Sequence, residues 1–523
     1  MSSIIKIIVI LLLAFKATAA NHHVDNTASG ANNGTNWANA WQSFAAVNWT
    51  LVNPGDTVYI SGGSASKTYS EKFTMNDENG TAGNPITFRV GQDAGHNGDV
   101  IFDFASTAGD GTNHQGGIFR PGNYVHVNGF VGAVSKLHFR NYYNFGKKDT
   151  AVCFDAAYRV GTRVIGVTAT NINNFADLDA NTGCIIAYNV VHGVRGDHFV
   201  RLIESLPNDY GNRQVCSNDV ILWFNSIEPP YGQEGGYAYG GPDGVQSRHN
   251  VSIFNNTFKS EITTNYTSNQ HSDMVQGAGT NISIYNNDFI NVGDSAIDFD
   301  SPNIGYIKIY NNTFRILTEV DDLPQFLRFY ATASAQLTLS NIVIANNTFI
   351  DNPWQPITFE SYNGGNPTAT GIEIKNNIFY NCGDGTLTHP IFNAVASSGT
   401  GFSLGAGFLF ANNVYYRSGG AYMSFEGTSS TVASWVSANE SGTGKTTQPL
   451  FVSYTANASA NDLNLSASDT VAKDSAVTLS YFSTDKAGAT RGATWDIGAF
   501  EFVGGAPPSG GYTNTVFNLR VLP

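Results

Sequence analysis

A short phrase recurs along the chain: an alternating apolar strand, then asparagine, then an apolar or aromatic pair. It reads IIAYNVV, ILWFNSI, SIFNNTF, SIYNNDF, KIYNNTF, VIANNTF, EIKNNIF and FLFANNVYY. The asparagine falls at Asn189, Asn225, Asn256, Asn287, Asn312, Asn347, Asn377 and Asn413, which subtraction places between 25 and 36 residues apart. A fixed phrase with elastic spacing marks a solenoid, each repeat being one coil and the extra length leaving as loops. The phrase alternates with period two and shows no sustained helical period, so each coil is built from strands. Asparagine tolerates left-handed backbone and bonds neighbouring peptide groups, so stacked asparagines at a tight corner can form a ladder. Parallel strands take right-handed crossovers. The expected fold is all-β, a right-handed parallel β-helix with an N-terminal cap; a β-propeller would require more uniform four-strand blades.

Residues 1–20 have the pattern of a secretory signal: Lys6, an apolar run from Ile7 to Phe15, then small residues to Ala20. That run is too short to span a bilayer, and no later segment qualifies. The expectation is an exported, extracellular or periplasmic protein with no membrane span, acting as a monomer. Residues 21–503 form the β-helix, with 21–100 as cap and first coils; an apolar patch from Ala38 to Val47 is expected to be a short covering helix, and Thr57 to Ile60 the first strand. Trp495 to Phe502 reads as a final strand, and 504–523 as a Gly/Pro linker and short tail. A net charge of −14 and a sequence pI near 5.1 argue against nucleic acid, which requires basic stripes. Cys153, Cys184, Cys216 and Cys382 allow three complete pairings or none, and none has metal-ligand spacing.

A second strand precedes each asparagine phrase, in GGIFRP, AVCFDA, HFVRLI, DGVQSR, DMVQGA, SAIDFD, QFLRFY and QPITFE. Its inward residues are Phe119, Phe154, Val200, Val245, Val275, Ile297, Leu327 and Ile357. The outward ones are Arg120, Asp155, Arg201, Gln246, Gln276, Asp298, Arg328 and Thr358, followed two positions on by Asp300, Tyr330 and Glu360. Coils stack at about 4.8 Å, so these side chains form a column spaced to follow an extended chain. Arginine pairs bidentately with carboxylates, which suits an acidic polysaccharide. The alternative is a solvated face with ion pairs between coils, such as Asp298 with Arg328. His198, Asp243, His271 and Asp273 gather at the corner before this strand, where paired carboxylates suit acid–base work or a cation such as Ca²⁺; shaping the turn is the competing role. A tyrosine- and glycine-rich loop including Tyr237 precedes Asp243 and can form a sugar platform or a plain connection.

The opening VDNTASGANNGTNWANAWQSF and NPGDTVYISGG, the NNTF coils and the closing DIGAFEF together resemble secreted bacterial β-helix proteins of the pectin-lyase-like superfamily, over nearly all of residues 21–503. That resemblance implies polysaccharide chemistry: lyases for pectate, alginate and chondroitin, glycoside hydrolases, uronan epimerases and phage tailspikes share the architecture. For a lyase, Arg201 or Arg328 would neutralise the uronate carboxylate, with His198, His271 or Tyr330 as base or acid and Asp273 and Asp298 in support. Arg120, Asp155, Tyr237, Asp243, Gln246, Gln276, Asp300 and Glu360 would bind substrate. Similar lyases often use a lysine base, and no lysine is expected on the column. A hydrolase would instead use a carboxyl pair drawn from Asp243, Asp273, Asp298 and Asp300. A non-catalytic polysaccharide-binding or adhesin-like protein is the remaining alternative.

Overall fold

The computed structural model describes residues 19–504 apart from 76–77, 105–115, 143–150, 157, 179–180, 195–197, 203–213, 218–219, 225–242, 262–272, 293, 318–323, 332–335, 362–365, 397–400 and 406. The chain winds as a parallel β-helix with three strands to a coil. One sheet holds the strands that follow the asparagines, among them Thr257–Glu261, Asp288–Ile290, Thr313–Arg315, Thr348–Ile350, Ile378–Tyr380 and Val414–Tyr416. The other two strands of each coil share a second, larger sheet. They merge where Ser295–Tyr310 runs unbroken round the corner and pairs with both Gln325–Ala331 and Thr338–Ala345.

Both asparagines and the aromatic residue of the NNTF phrase have physical tasks. The first asparagine (Asn255, Asn286, Asn311, Asn346, Asn376, Asn412) takes φ between 51° and 58°, the left-handed turn that branched side chains avoid. The second is buried and bonds to its counterpart one coil on. The backbone N–H and side-chain amide of Asn287 both donate to Asn312 Oδ1, at 2.9 and 3.0 Å, and the same pair of bonds joins Asn312 to Asn347 and Asn347 to Asn377. Each amide also donates to a strand carbonyl, as Asn312 does to Ile284 at 2.9 Å. The aromatic residue faces inward, and Phe258, Phe289, Phe314, Phe349 and Phe379 stack with centroids 4.8–5.0 Å apart, the spacing of the strands themselves. Burying each ring contributes about 2–3 kcal/mol.

Both ends of the stack are closed, as exposed strand edges require. At the N-terminus the cap buries Trp41 and Phe44. The expected helix over Ala38 to Val47 is absent: single 3-10 turns form at Trp37–Asn39, Phe44–Ala46 and Trp49–Leu51. Asn36, Ser43 and Asn48 each accept a backbone N–H at the start of one turn, and a capping residue that often interrupts any longer helix. The first strand is Asn21–Val24, parallel to Thr57–Ile60, and precedes the one expected to come first. At the other end, Tyr422–Phe425 pairs antiparallel with Thr428–Thr431, and the helix Val432–Asn439 packs Trp435 onto the last coil. The residue after the helix, Glu440, accepts from Asn413 and so terminates the asparagine ladder; Tyr415 donates to its other oxygen at 2.6 Å.

From there the chain doubles back along the outside of the asparagine corner. Side-chain amides of Asn412, Asn376, Asn346 and Asn311 donate to carbonyls of Ser475, Val477, Asp496 and Thr484. Trp495 to Phe502, expected as a strand, is an irregular part of this return strap. Its carboxylates are structural: Glu501 pairs with buried Arg491 at 3.0 Å, and Asp496 accepts from the backbone of Asp474 and Phe502. All four cysteines are free and buried in the stack. Among the described residues, no helix is long and apolar enough to cross a membrane.

Candidate functional site

The outward column is carried by one strand per coil: β1 (Phe73–Thr74), β2 (Gly116–Arg120), β3 (Ala151–Asp155), β4 (Asn174–Asp177), β5 (His198–Leu202), β6 (Asp243–Ser247), β7 (Val275–Thr280), β8 (Ser295–Tyr310), β9 (Gln325–Ala331), β10 (Ile357–Ser361). Inward residues pair in register, Val200 with Val245, Val275 with Val245 and Ile297, and Leu327 with Ile297 and Ile357. The outward residues therefore stack as the period-two reading places them, Arg201 beside Gln246, then Gln276, Asp298, Arg328 and Thr358. Asp300, Tyr330 and Glu360 form the parallel column two residues on.

Two rungs toward the N-terminus escaped the sequence reading, and Asn393 and Ser424 continue the column beyond Thr358. Asp177 on β4 stands between Asp155 and Arg201, so the early column runs Arg120, Asp155, Asp177, Arg201. Its signal was present, since NFAD repeats the apolar-Asp ending of VCFD and leads into IIAYNVV; the coil without the asparagine phrase is that of VCFD, which continues as Arg163–Ile165 and Val167–Ile172. The other missed rung is Thr74 on β1, which pairs with Arg120 and brings Lys72 to the head of the column. Lys72 precedes the strand and lies beside the column, not on the rung that Thr74 occupies; a two-residue strand is too short to show a period. Lys72 lies 5.4 Å over the ring of Tyr142, and partial burial together with the charge of Arg120 holds its pKa below the ordinary lysine value.

The column divides into two electrostatic settings. At the N-terminal end Arg120 pairs with Asp155 at 2.8 Å and Arg201 with Asp177 at 3.7 Å, with side chains 49% and 34% exposed. At the C-terminal end Arg328 is enclosed. It meets Glu360 at 3.6 Å, and its guanidinium lies 4.0 Å over the Tyr330 ring. Burial by itself would lower the pKa of Arg328, but Asp298, Glu360 and Asp294 outweigh it and the net shift is upward. Tyr330 donates to Asp300 Oδ2 at 3.2 Å, and burial followed by the charges of Asp300 and Asp298 pushes its pKa up. A phenol so held keeps its proton at neutral pH, which fits it to donate rather than to abstract.

Asp298 and Thr358, though on the outward side, are buried. Asp273 is fully buried and lies two residues before Val275, at the bend that leads into the strand. His198 and Asp243 are register partners on β5 and β6, as the corner reading requires. Their side chains and that of Gln246, together with His271, Tyr237 and the loop that holds it, lie outside the described residues. Among the described residues, no three imidazole, thiol or carboxyl groups converge to hold a metal ion.

The sequence matches no protein-family model and no curated protein. Among solved structures the chain is similar to pectate lyase Pel9A (14% identity, 93% of this chain and 97% of that one, TM-score 0.36). It is similar also to the complex of XylC with xylose (10%, 92% and 98%, 0.45) and to a rhamnogalacturonan lyase (13%, 76% and 87%, 0.38). At such identities the likeness is one of architecture, and any chemistry has to come from this chain's own side chains.

Proposed function

We propose that this β-helix, of pectin-lyase-like architecture, is an exported protein that binds an acidic polysaccharide along its outward column and cleaves it by β-elimination. The observation that carries the reading is the open N-terminal half of the column, where the side chains of Arg120 and Arg201 remain 49% and 34% exposed although each already has a carboxylate neighbour. Such guanidiniums can take up a uronate carboxylate, neutralise it and acidify the adjacent C5–H. Removing that proton requires a base of lowered pKa. Lys72 beside Arg120 meets the requirement, and His198, at the corner where the strand of Arg201 begins, is the second candidate with His271. Arg328 is committed to its carboxylate neighbours, so its role is to hold Asp298, Glu360 and Tyr330 in place rather than to grip substrate. Ca²⁺ belongs in the test as an added component.

The test is absorbance of unsaturated uronate products when the purified protein meets alginate, pectate or chondroitin, with and without Ca²⁺. A rise on one polymer names the substrate. Lys72→Ala and His198→Ala then separate the two bases, the true one costing roughly 10²–10⁴-fold in turnover. Arg201→Ala is expected to raise KM and lower turnover together. A second reading, hydrolysis, draws on Asp298 and Asp300, two residues apart on one side of β8 and hence about 7 Å apart, within the range of inverting carboxyl pairs. New reducing ends without unsaturated products would select it, and inactivity in both assays would leave a binding protein or an epimerase.

A further inference from the structure

On the face adjoining the column, where the return strap crosses the second strands of the later coils, the surface holds a cavity of about 310 Å³. Tyr306, Lys308, Asn341, Glu373 and Tyr481 line it. Tyr481 comes from the strap and the others from successive coils, so the cavity exists only because the chain folds back. Its volume is at the lower end of small-ligand pockets and suits one or two sugar rings.

Tyr306 is the more exposed of the two aromatic rings that line the cavity. It stands in a corner column that runs Asn250, Asn281, Tyr306, Asn341, Gly371, fixed by the pairing of Thr280 with Gly305, Gly305 with Ser340 and Ser340 with Thr370. All five positions have positive φ, between 53° and 68°. The other four of these positions hold asparagine or glycine, the residues that tolerate this backbone, whereas this coil places a bulky aromatic there, 60% exposed; Tyr124, with φ 50°, is a second aromatic further up the same column. An exposed ring held at a conformational cost, facing a cavity beside a second tyrosine that is 38% exposed, is a stacking platform for the apolar face of a pyranose.

The charges select the ligand further. Glu373 is already engaged, with Lys375 at 3.1 Å and the Tyr481 hydroxyl at 3.2 Å. Lys308 lies 5.4 Å over the Tyr481 ring and forms no ion pair among the described residues, because Val343 intervenes between it and Glu373 in the register. The cavity thus presents one uncommitted ammonium beside aromatic rings and a side-chain amide. We propose that it is a second carbohydrate-binding site, on a different face from the column, which takes a uronic-acid unit of a polysaccharide by stacking on Tyr306 and pairing its carboxylate with Lys308. The assignment rests on local chemistry and does not require the column to be catalytic.

The test is affinity electrophoresis of the full chain through gels containing polygalacturonate or alginate, with a neutral β-glucan as control. It is run in an Arg120→Ala/Arg201→Ala background, which disables the column, so that failure of the lyase reading leaves the result interpretable. The background protein is expected to be retarded by at least one acidic polymer and not by the neutral one. Adding Tyr306→Asn should weaken that retardation about tenfold while the melting temperature stays level or rises, since asparagine relieves the backbone. Adding Lys308→Gln instead, which leaves the backbone alone, should weaken it comparably and remove its salt dependence. The assignment is overturned by a background protein that no acidic polymer retards, or by retardation that survives both substitutions within twofold.

Discussion

Arg201 and Arg328 stand in the same outward column and present the same pattern in sequence, an arginine one residue after an inward aliphatic. Their surroundings separate them. Arg201 has one carboxylate at 3.7 Å and a third of its side chain exposed. Arg328 has its exposure reduced to 16%, a tyrosine ring beneath it, and the charges of Asp298, Glu360 and Asp294 around it. One guanidinium is available to a ligand and the other is built into the wall. Periodicity assigns a side chain to a face; its availability depends on what the neighbouring coils place beside it.

Removing each arginine should expose the difference. Arg328→Ala leaves Asp298 buried without its cation, and a loss of about 3 kcal/mol in unfolding free energy is expected from denaturant titration. Arg201→Ala in the same assay should cost under about 1 kcal/mol, because its pair is long and reached by solvent. Equal losses would erase the distinction between the two halves of the column.

The asparagine corner extends the comparison. Asn312→Ala removes the acceptor for both donors of Asn287 and the amide bond to Ile284, and leaves those groups buried, so about 2 kcal/mol should be lost. Gln276→Ala on the outward column, where the side chain is partly exposed, should change stability by no more than about 0.5 kcal/mol.

The end of the ladder adds a pH dependence. Burial raises the pKa of Glu440 from 4.5 to about 7, despite the bonds it accepts from Tyr415 and Asn413. A carboxyl raised on folding favours the folded state while protonated. Its contribution is therefore complete below pH 4.5 and is lost as pH rises to about 7. Glu440→Gln should flatten the decline in melting temperature across that window. The part due to Asp496, raised by burial from 3.8 to about 6, should remain. A decline of unchanged slope would remove Glu440 as its source. The smallest effect expected is that of Tyr330→Phe, which deletes the 3.2 Å bond to Asp300 but keeps the ring under Arg328, for about 1 kcal/mol or less by thermal denaturation.

Much of this architecture was legible in the chain because a solenoid writes its geometry locally. The NNTF phrase encodes a left-handed turn, a buried amide ladder and a stacked ring within four residues, and repetition fixes their spacing. The register of the column followed from period two, so Arg201, Gln276, Asp298 and Arg328 could be placed one above another. Where coils depart from the phrase the reading slips: the VCFD coil lacks it, which hides Asp177 on the next rung, and the short early coils hide Thr74 with Lys72 beside it. The cap illustrates the opposite error: composition around Ala38 to Val47 suggested a helix, whereas Asn36, Ser43 and Asn48 divide it into single turns.

The sequence by itself determined the coil, its corner and the side of the strand each residue faces, since these depend on neighbours close in the chain and on a repeat. Only the tertiary structure decided which charges are spent and where the C-terminal segment lies. Glu440 reaches the ladder end from beyond a helix, Arg491 hydrogen-bonds Asn311 at 2.9 Å across 180 residues, and Tyr481 closes a cavity on coils that precede it by more than a hundred. Such contacts depend on where loops of unequal length return the chain, and no local period records that.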